Sequence, residues 1–204
     1  MIAIILILVI VFIGCAVMYP IPFFYEWDVK TTLFFEDHRS PFLTEFFLFI
    51  TDLGSIKYIL PICIIFTIFF LYKRMVIEAT LLMIMFFSVR YLNILLKNIF
   101  VRNRPNFDAV YEAVHYSFPS GHAMNSIATY GFLFILLTMS INVSRAWRRL
   151  SVVIVCVFIG LIGMSRIYLG VHYITDIVAG FCAGGTWLLL FQAVSRKIPS
   201  FRQK

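Results

Sequence analysis

Between two long apolar runs lies the stretch Ser165-Arg166-Ile167-Tyr168-Leu169-Gly170-Val171-His172-Tyr173-Ile174-Thr175-Asp176. With His172 opening a helix, Asp176 falls one turn later on the same face. There its carboxylate reaches the imidazole and fixes which ring nitrogen is left to attack. Such a pair is a nucleophile and its orienter. Arg166, on the approach to that helix, offers a planar cation suited to phosphate oxygens.

Two further stretches carry complementary chemistry. In Lys97-Asn98-Ile99-Phe100-Val101-Arg102-Asn103-Arg104-Pro105, a lysine at a helix end and an arginine in the following loop bring two cations to one place. In Tyr116-Ser117-Phe118-Pro119-Ser120-Gly121-His122, Ser120 can cap a helix and Gly121 lets backbone approach a ligand closely. Amides free at that helix start form an anion site, and His122 follows at once, placed to exchange protons with whatever they hold. Arg102 reads as a solvated loop charge rather than a substrate contact. Arg90 lies two turns deeper than Lys97 on nearly the same face, where a charge requires the bundle interior or water. It reads as a buried clamp to Asp176 or to backbone carbonyls, in preference to a second cation for a diphosphate or head group.

The elements that must position these groups follow from composition. The 204 residues are 62% hydrophobic and 13% charged, with mean hydropathy +0.95, which excludes an ordinary soluble domain. The formal charge of +7 does not point to nucleic acid, because the basic residues cap apolar runs rather than line one solvated face. Cys15, Cys63, Cys156 and Cys182 lie singly in different apolar runs, without metal-ligand spacing. Six spans are read: Met1 to Met18, Tyr58 to Tyr72, Met75 to Leu96, Gly121 to Ile141, Leu150 to Met164, and about His172 to Val194. Phe23 to Lys57 is mixed in polarity, with a short amphipathic helix beginning at Ser40-Pro41. The expectation is a single-domain, all-α integral membrane protein over residues 1–204, with six transmembrane helices plus a short amphipathic surface helix. Lys73, Arg74, Arg145, Arg148, Arg149 and the basic tail share one face, so the positive-inside rule makes it cytoplasmic with both termini. The side chains with chemistry then lie outside.

Lys97-x6-Arg104-Pro105, Pro119-Ser120-Gly121-His122 and Ser165-Arg166-x5-His172-x3-Asp176 resemble the three-part signature of the type 2 phosphatidic acid phosphatase superfamily, in the same order and complete at every position. The signature covers residues 97–176, and the likeness is greatest to small bacterial phosphatidylglycerophosphate and undecaprenyl pyrophosphate phosphatases. The resemblance implies that Lys97, Arg104 and Arg166 bind phosphoryl oxygens together with Ser120 and the amide of Gly121. It further implies that His172 attacks phosphorus, Asp176 orients His172, and His122 protonates the departing oxygen and then activates water. It implies a metal-independent lipid phosphatase acting through a phosphohistidine, with no cofactor and no metal. The partners it implies are a lipid phosphate or diphosphate and membrane lipids, with no nucleic acid and no obligate protein partner. The place is a plasma membrane, with the site extracytoplasmic. The rival reading is a non-catalytic lipid head-group binder or transporter that retains the anion pocket.

Overall fold

The computed structural model describes residues 1–111, 113–140 and 144–198 and, among them, is all-helical. In chain order the helices are α1 (Ile2–Met18), α2 (Pro22–Asp37), α3 (Pro41–Leu53), α4 (Ile56–Tyr72), α5 (Val76–Phe100), α6 (Gly121–Ser140), α7 (Arg145–Tyr168) and α8 (Ile174–Ser195). By length and composition α5, α6, α7 and α8 can each cross a membrane, and the bent pairs α1/α2 and α3/α4 bring the count to six. At about 1.5 Å per residue, each of the four long helices matches or exceeds a hydrocarbon layer of roughly 30 Å.

The region from Phe23 to Lys57 is more ordered than its mixed polarity predicts, because it holds two helices rather than one. Pro20 and Pro22 stop α1, and Pro22 restarts the chain at the first helical position of α2, which is free of the need for an amide donor. The axis turns by 97° there. Helix α2 reads as loop in the sequence because polar and apolar residues alternate irregularly, yet Asp28 and Thr32 on it are buried. Helix α3 is the expected amphipathic element: Ser40 Oγ accepts from Leu43 N at 3.4 Å, and Phe47, Ile50 and Thr51 face inward.

Two other boundaries differ from expectation with consequences for the site. Helix α7 runs past the expected Leu150 to Met164 at both ends, so Ser165 and Arg166 ride on its last turn. Helix α8 begins at Ile174 with Tyr173 as its N-cap, so His172 precedes the helix rather than opening it. The expected end of the fourth span at Ile141 lies outside the described residues.

An apolar core fills the space among α4, α5, α6 and α8, with Cys63, Leu82, Phe86, Met124, Phe132 and Leu136 all closed to solvent. Helices α6 and α8 approach closely because Gly180 and Gly184 carry no side chain. A Cβ at Gly180 would lie 2.7 Å from Ser120 O, and one at Gly184 would lie 2.4 Å from Met124 O. That contact brings the start of α6 against the start of α8, and the two histidine-bearing segments meet there. The outward faces of α1, α4, α5 and α7 remain apolar and exposed, as a lipid-facing surface requires.

Candidate active site

The site forms where the ends of α5 and α7 and the starts of α6 and α8 converge under the loop 101–120. Val101 ends α5 in the left-handed region (φ 48, ψ 36), an unfavourable conformation for a β-branched residue that turns the chain sharply back over the bundle. The next residues run without helix, so Arg102 and Arg104 both bear on the pair formed by His172 and Asp176.

His172 is 1% exposed. Its Nδ1 lies 3.3 Å from Asp176 Oδ2 and 3.2 Å from Ser117 Oγ, while Nε2 lies 3.0 Å from Arg104 Nη1. A guanidinium only donates, so Nε2 must accept and the proton sits on Nδ1. The Ser117 hydroxyl donates to Asp176 Oδ2, which leaves its lone pairs for that Nδ1–H. Burial first, and then the charges of Arg104, Lys97, Arg166 and Arg102, hold the His172 imidazole well below its ordinary value. It is therefore neutral, with the Nε2 lone pair turned toward the cations.

Those cations are fixed by the backbone they brace. Lys97 Nζ donates to Tyr116 O and, at 3.1 Å, to Ser117 O. Arg104 donates from Nε to His115 O at 2.8 Å, from Nη1 to Val171 O at 2.7 Å and from Nη2 to Val114 O at 3.1 Å. Arg166 donates from Nη1 to Thr51 Oγ1 at 2.5 Å and to the Tyr111 hydroxyl, and its buried Nε has no protein partner among the described residues. Burial and the neighbouring Arg166 push the Arg104 guanidinium down to about 10, so it is still charged at neutral pH. Three crowded cations beside one carboxylate that is itself neutralised by Arg102 form an anion site. Arg104 also lines a cleft of about 440 Å³ with Asn106, Tyr111 and Gly170. Gly170 takes φ +73 there, and a Cβ would meet Arg39 Nη2 at 2.7 Å and Ala109 Cα at 3.3 Å.

Ser120 and Gly121 stand at the start of α6. Ser120 N donates to Asp176 O at 2.9 Å, and Ser120 Oγ accepts from Ala123 N at 3.5 Å, a weak cap. The first-turn amides have no acceptors within the helix. His122 lies beside Gly54, just past the end of α3: a Cβ on Gly54 would lie 3.0 Å from its Cδ2. The eight signature residues expected to bind phosphate or act in catalysis, Lys97, Arg104, Ser120, Gly121, His122, Arg166, His172 and Asp176, thus belong to one neighbourhood built from four helices and a loop.

Two arginines are placed otherwise than the sequence led one to expect. The clamp on Asp176 is Arg102, not Arg90. Arg102 is buried, with Nη1 2.6 Å from Asp176 Oδ1 and Nη2 2.7 Å from Asp28 Oδ2. Arg90 is half-buried on α5, and among the described residues Asp176 is partnered by Arg102, Ser117, His172 and the Tyr173 amide. At about 1.5 Å per residue, twelve residues of helix and turn separate Arg90 from the loop level at which Asp176 is held. Arg102 is accordingly no solvated loop charge. Ser117, Asp28, Thr51 and Tyr111 were missed altogether. Only Arg102 left a trace: in an extended segment, residues two apart share a side, and Arg104 was already placed there.

Among the described residues no group of three or more His, Cys, Asp or Glu could hold a metal ion.

The PAP2 superfamily matches residues 78–199, the whole of the signature region included. Phosphatidylglycerophosphatase B of Bacillus subtilis is 34% identical over 166 residues, covering 81% of this chain and 82% of its own. The crystal structure of a transmembrane PAP2 type phosphatidylglycerolphosphate phosphatase from Bacillus subtilis superposes with a TM-score of 0.92 at 29% identity, over 97% of this chain and 98% of that one. The crystal structure of Aquifex aeolicus LpxE shares the fold alone, with a TM-score of 0.64 at 24% identity over 81% of this chain and 94% of that one. With its all-helical transmembrane bundle and its complete signature gathered round one buried imidazole, this chain belongs to the PAP2 superfamily and is a lipid phosphatase of the plasma membrane.

Proposed function

We propose that this protein removes phosphate from an anionic lipid by transferring it first to His172, with no metal ion. The observation that carries the reading is the environment of His172: Nδ1 lies 3.3 Å from Asp176 Oδ2 and the Nε2 acceptor faces Arg104 Nη1 at 3.0 Å. A phosphoryl group held by Lys97, Arg104, Arg166 and the first amides of α6 places phosphorus against that lone pair. The spreading charge of its three equatorial oxygens then falls on fixed donors. Nε2 forms the bond to phosphorus, the bond to the lipid oxygen breaks, and His122 gives that oxygen its proton. In the second step water attacks phosphorus, His122 takes the proton of the water, and the N–P bond breaks to return His172. Asp176 holds Nδ1–H throughout and is opposed by a transiently cationic phosphoimidazole.

The substrate class is a membrane lipid bearing a phosphomonoester or diphosphate. Phosphatidylglycerophosphate is favoured by the similarity to the Bacillus phosphatase across nearly the full length of both chains; undecaprenyl pyrophosphate and phosphatidic acid are the competitors. Basic residues at the inner ends of the spans support an extracytoplasmic site with both termini in the cytoplasm. The test is phosphate release from the three lipids by purified protein, with and without chelator, followed by acid quench and mapping of the labelled residue. Release that survives chelation, with acid-labile phosphate on His172, is the expected result. Strict dependence on added magnesium, or label on another residue, overturns it.

A further inference from the structure

We infer that Arg102 and Asp28 form a positioning couple for the reaction, in which helix α2 reaches across the mouth and sets the direction of the Asp176 carboxylate. The inference deepens the proposed function and rests on it for the chemistry of His172. Arg102 is 6% exposed and Asp28 is fully buried. The guanidinium bridges two carboxylates from different helices, Asp28 Oδ2 at 2.7 Å and Asp176 Oδ1 at 2.6 Å, and donates to Thr175 Oγ1 at 2.7 Å. The guanidinium carbon lies over the rings of Tyr19, 4.6 Å from the centroid, and Tyr173, 4.2 Å from the centroid. Asp28 completes the frame on the other side. Its Oδ1 accepts from Thr175 N at 3.1 Å and its Oδ2 from Thr175 Oγ1 at 2.5 Å, so a residue of α2 caps the start of α8.

The consequence is a division of labour within one carboxylate. Arg102 occupies Oδ1 of Asp176, which leaves Oδ2 to Ser117, to the Tyr173 amide at 3.0 Å and to His172. A carboxylate free to rotate would present either oxygen and lose the direction of its bond to Nδ1. Arg102 is not placed as a phosphate ligand, because both its Nη atoms are engaged by the two carboxylates and Thr175, while Arg104 alone of the pair reaches Nε2. A point charge on a flexible stem cannot bridge two carboxylates in this way, so lysine is a poor substitute.

The arrangement also sets the charge seen by His172. Facing it are Arg104 and Arg102 from the loop, Lys97 from α5, Arg166 from α7, His122 from α6, and Asp176 from α8. Removing Arg102 takes away a repelling cation and leaves Asp176 unneutralised. Both changes favour protonated His172 and raise the pH at which it loses its proton.

The experiment compares Arg102→Gln, Arg102→Lys and Asp28→Asn with the wild-type chain in detergent, using kinetics over pH and nitrogen-15 spectra of the four histidines. His172 is assigned by its alanine variant. For Arg102→Gln, kcat falls about 10- to 100-fold with KM nearly unchanged, the acid limb of kcat/KM moves to higher pH, and the His172 resonances titrate at higher pH. Arg102→Lys restores little. Asp28→Asn, which keeps the bond from Arg102 to Asp176, shows smaller changes in the same direction and serves if the glutamine variant does not fold. An unshifted His172 titration in Arg102→Gln, or in Asp28→Asn where only that variant folds, overturns the inference, as does a rise in KM with kcat unchanged. The spectra need no turnover, so a wild-type chain that released no lipid phosphate would defeat the proposed function while the couple was still decided by the titration.

Discussion

The mouth of the site and the bundle interior of this protein are held together by opposite means. In the interior, Leu82, Phe86, Met124, Phe132 and Leu136 pack among four helices, and burial of apolar area together with glycine-mediated contact does the holding. At the mouth, the described residues of the loop between α5 and α6 have no regular structure to satisfy their backbone, and side-chain cations take that role. Lys97 braces Tyr116 O and Ser117 O, Arg104 braces Val114 O, His115 O and Val171 O, and Arg39 braces Tyr168 O and Asp108 O. The lesson is that the cations read from sequence as ligands for phosphate are also scaffold. His172 and His122 are not scaffold in that sense. Removing a histidine should therefore separate chemistry from structure, and removing a cation should not.

His172→Ala breaks the comparison most sharply. Phosphate release should fall by at least about 10³-fold on every ester, since the atom proposed to attack phosphorus is gone. The thermal midpoint in detergent should stay near that of the wild type, because Arg104 keeps its three backbone carbonyls. A variant that loses activity only together with its fold would show that the imidazole is structural.

His122→Ala should cost roughly 10²- to 10⁴-fold on a lipid ester, whose alkoxide needs a proton to leave, and far less in the first step on an aryl phosphate. Because the same histidine is assigned to activate water, p-nitrophenyl phosphate should give a burst followed by slow turnover in rapid mixing. A burst from His172→Ala and silence from His122→Ala would exchange the two assignments. Lys97→Met comes next, at about 10- to 100-fold in kcat/KM. Here the thermal midpoint should drop as well, since two carbonyls of the loop lose their donor. An unchanged midpoint would mean that the loop is held without it.

These contrasts also explain what could be read in the chain beforehand. The spans were legible because a bilayer demands long apolar helices, and the signature residues because His172 and Asp176, or Ser120, Gly121 and His122, lie within four residues of one another at the starts of helices. The partners of Arg102 and Arg166 were not. Asp28 meets Arg102 across 74 residues and Thr51 meets Arg166 across 115, and no local period connects such positions. Helix α2 escaped notice for a related reason. Its Asp28 faces a buried ion pair while Glu26, Lys30 and Asp37 face outward, so it lacks the clean apolar stripe of a surface helix and the continuous apolarity of a span. Asp176 was among the partners expected for Arg90 on depth alone, and depth says that a charge needs compensation, not where it is found.

The smallest expected effects test the interior. Two glycines on neighbouring helices differ in what a side chain would meet: a Cβ on Gly184 would lie 2.4 Å from Met124 O and 2.5 Å from Ile127 Cγ2, while one on Gly160 would meet nothing within 4 Å. Neither has the positive φ that would favour glycine for its backbone. Gly184→Ala should therefore force α8 away from α6 and cost about 1 to 3 kcal/mol, read as a lower thermal midpoint in detergent. Activity should fall with it, because the same seam aligns Ser120 with the start of α8 through the Ser120 N to Asp176 O bond. Gly160→Ala should be neutral or stabilising by up to about 1 kcal/mol, since alanine removes backbone freedom from the unfolded chain and adds only a methyl group facing lipid. Activity should be untouched. Equal destabilisation by both variants would mean that Gly160 meets a partner from another copy of the chain. Tolerance of both would mean that α6 and α8 can part by a few tenths of an ångström without cost, and that the alignment of the two histidines does not depend on their seam.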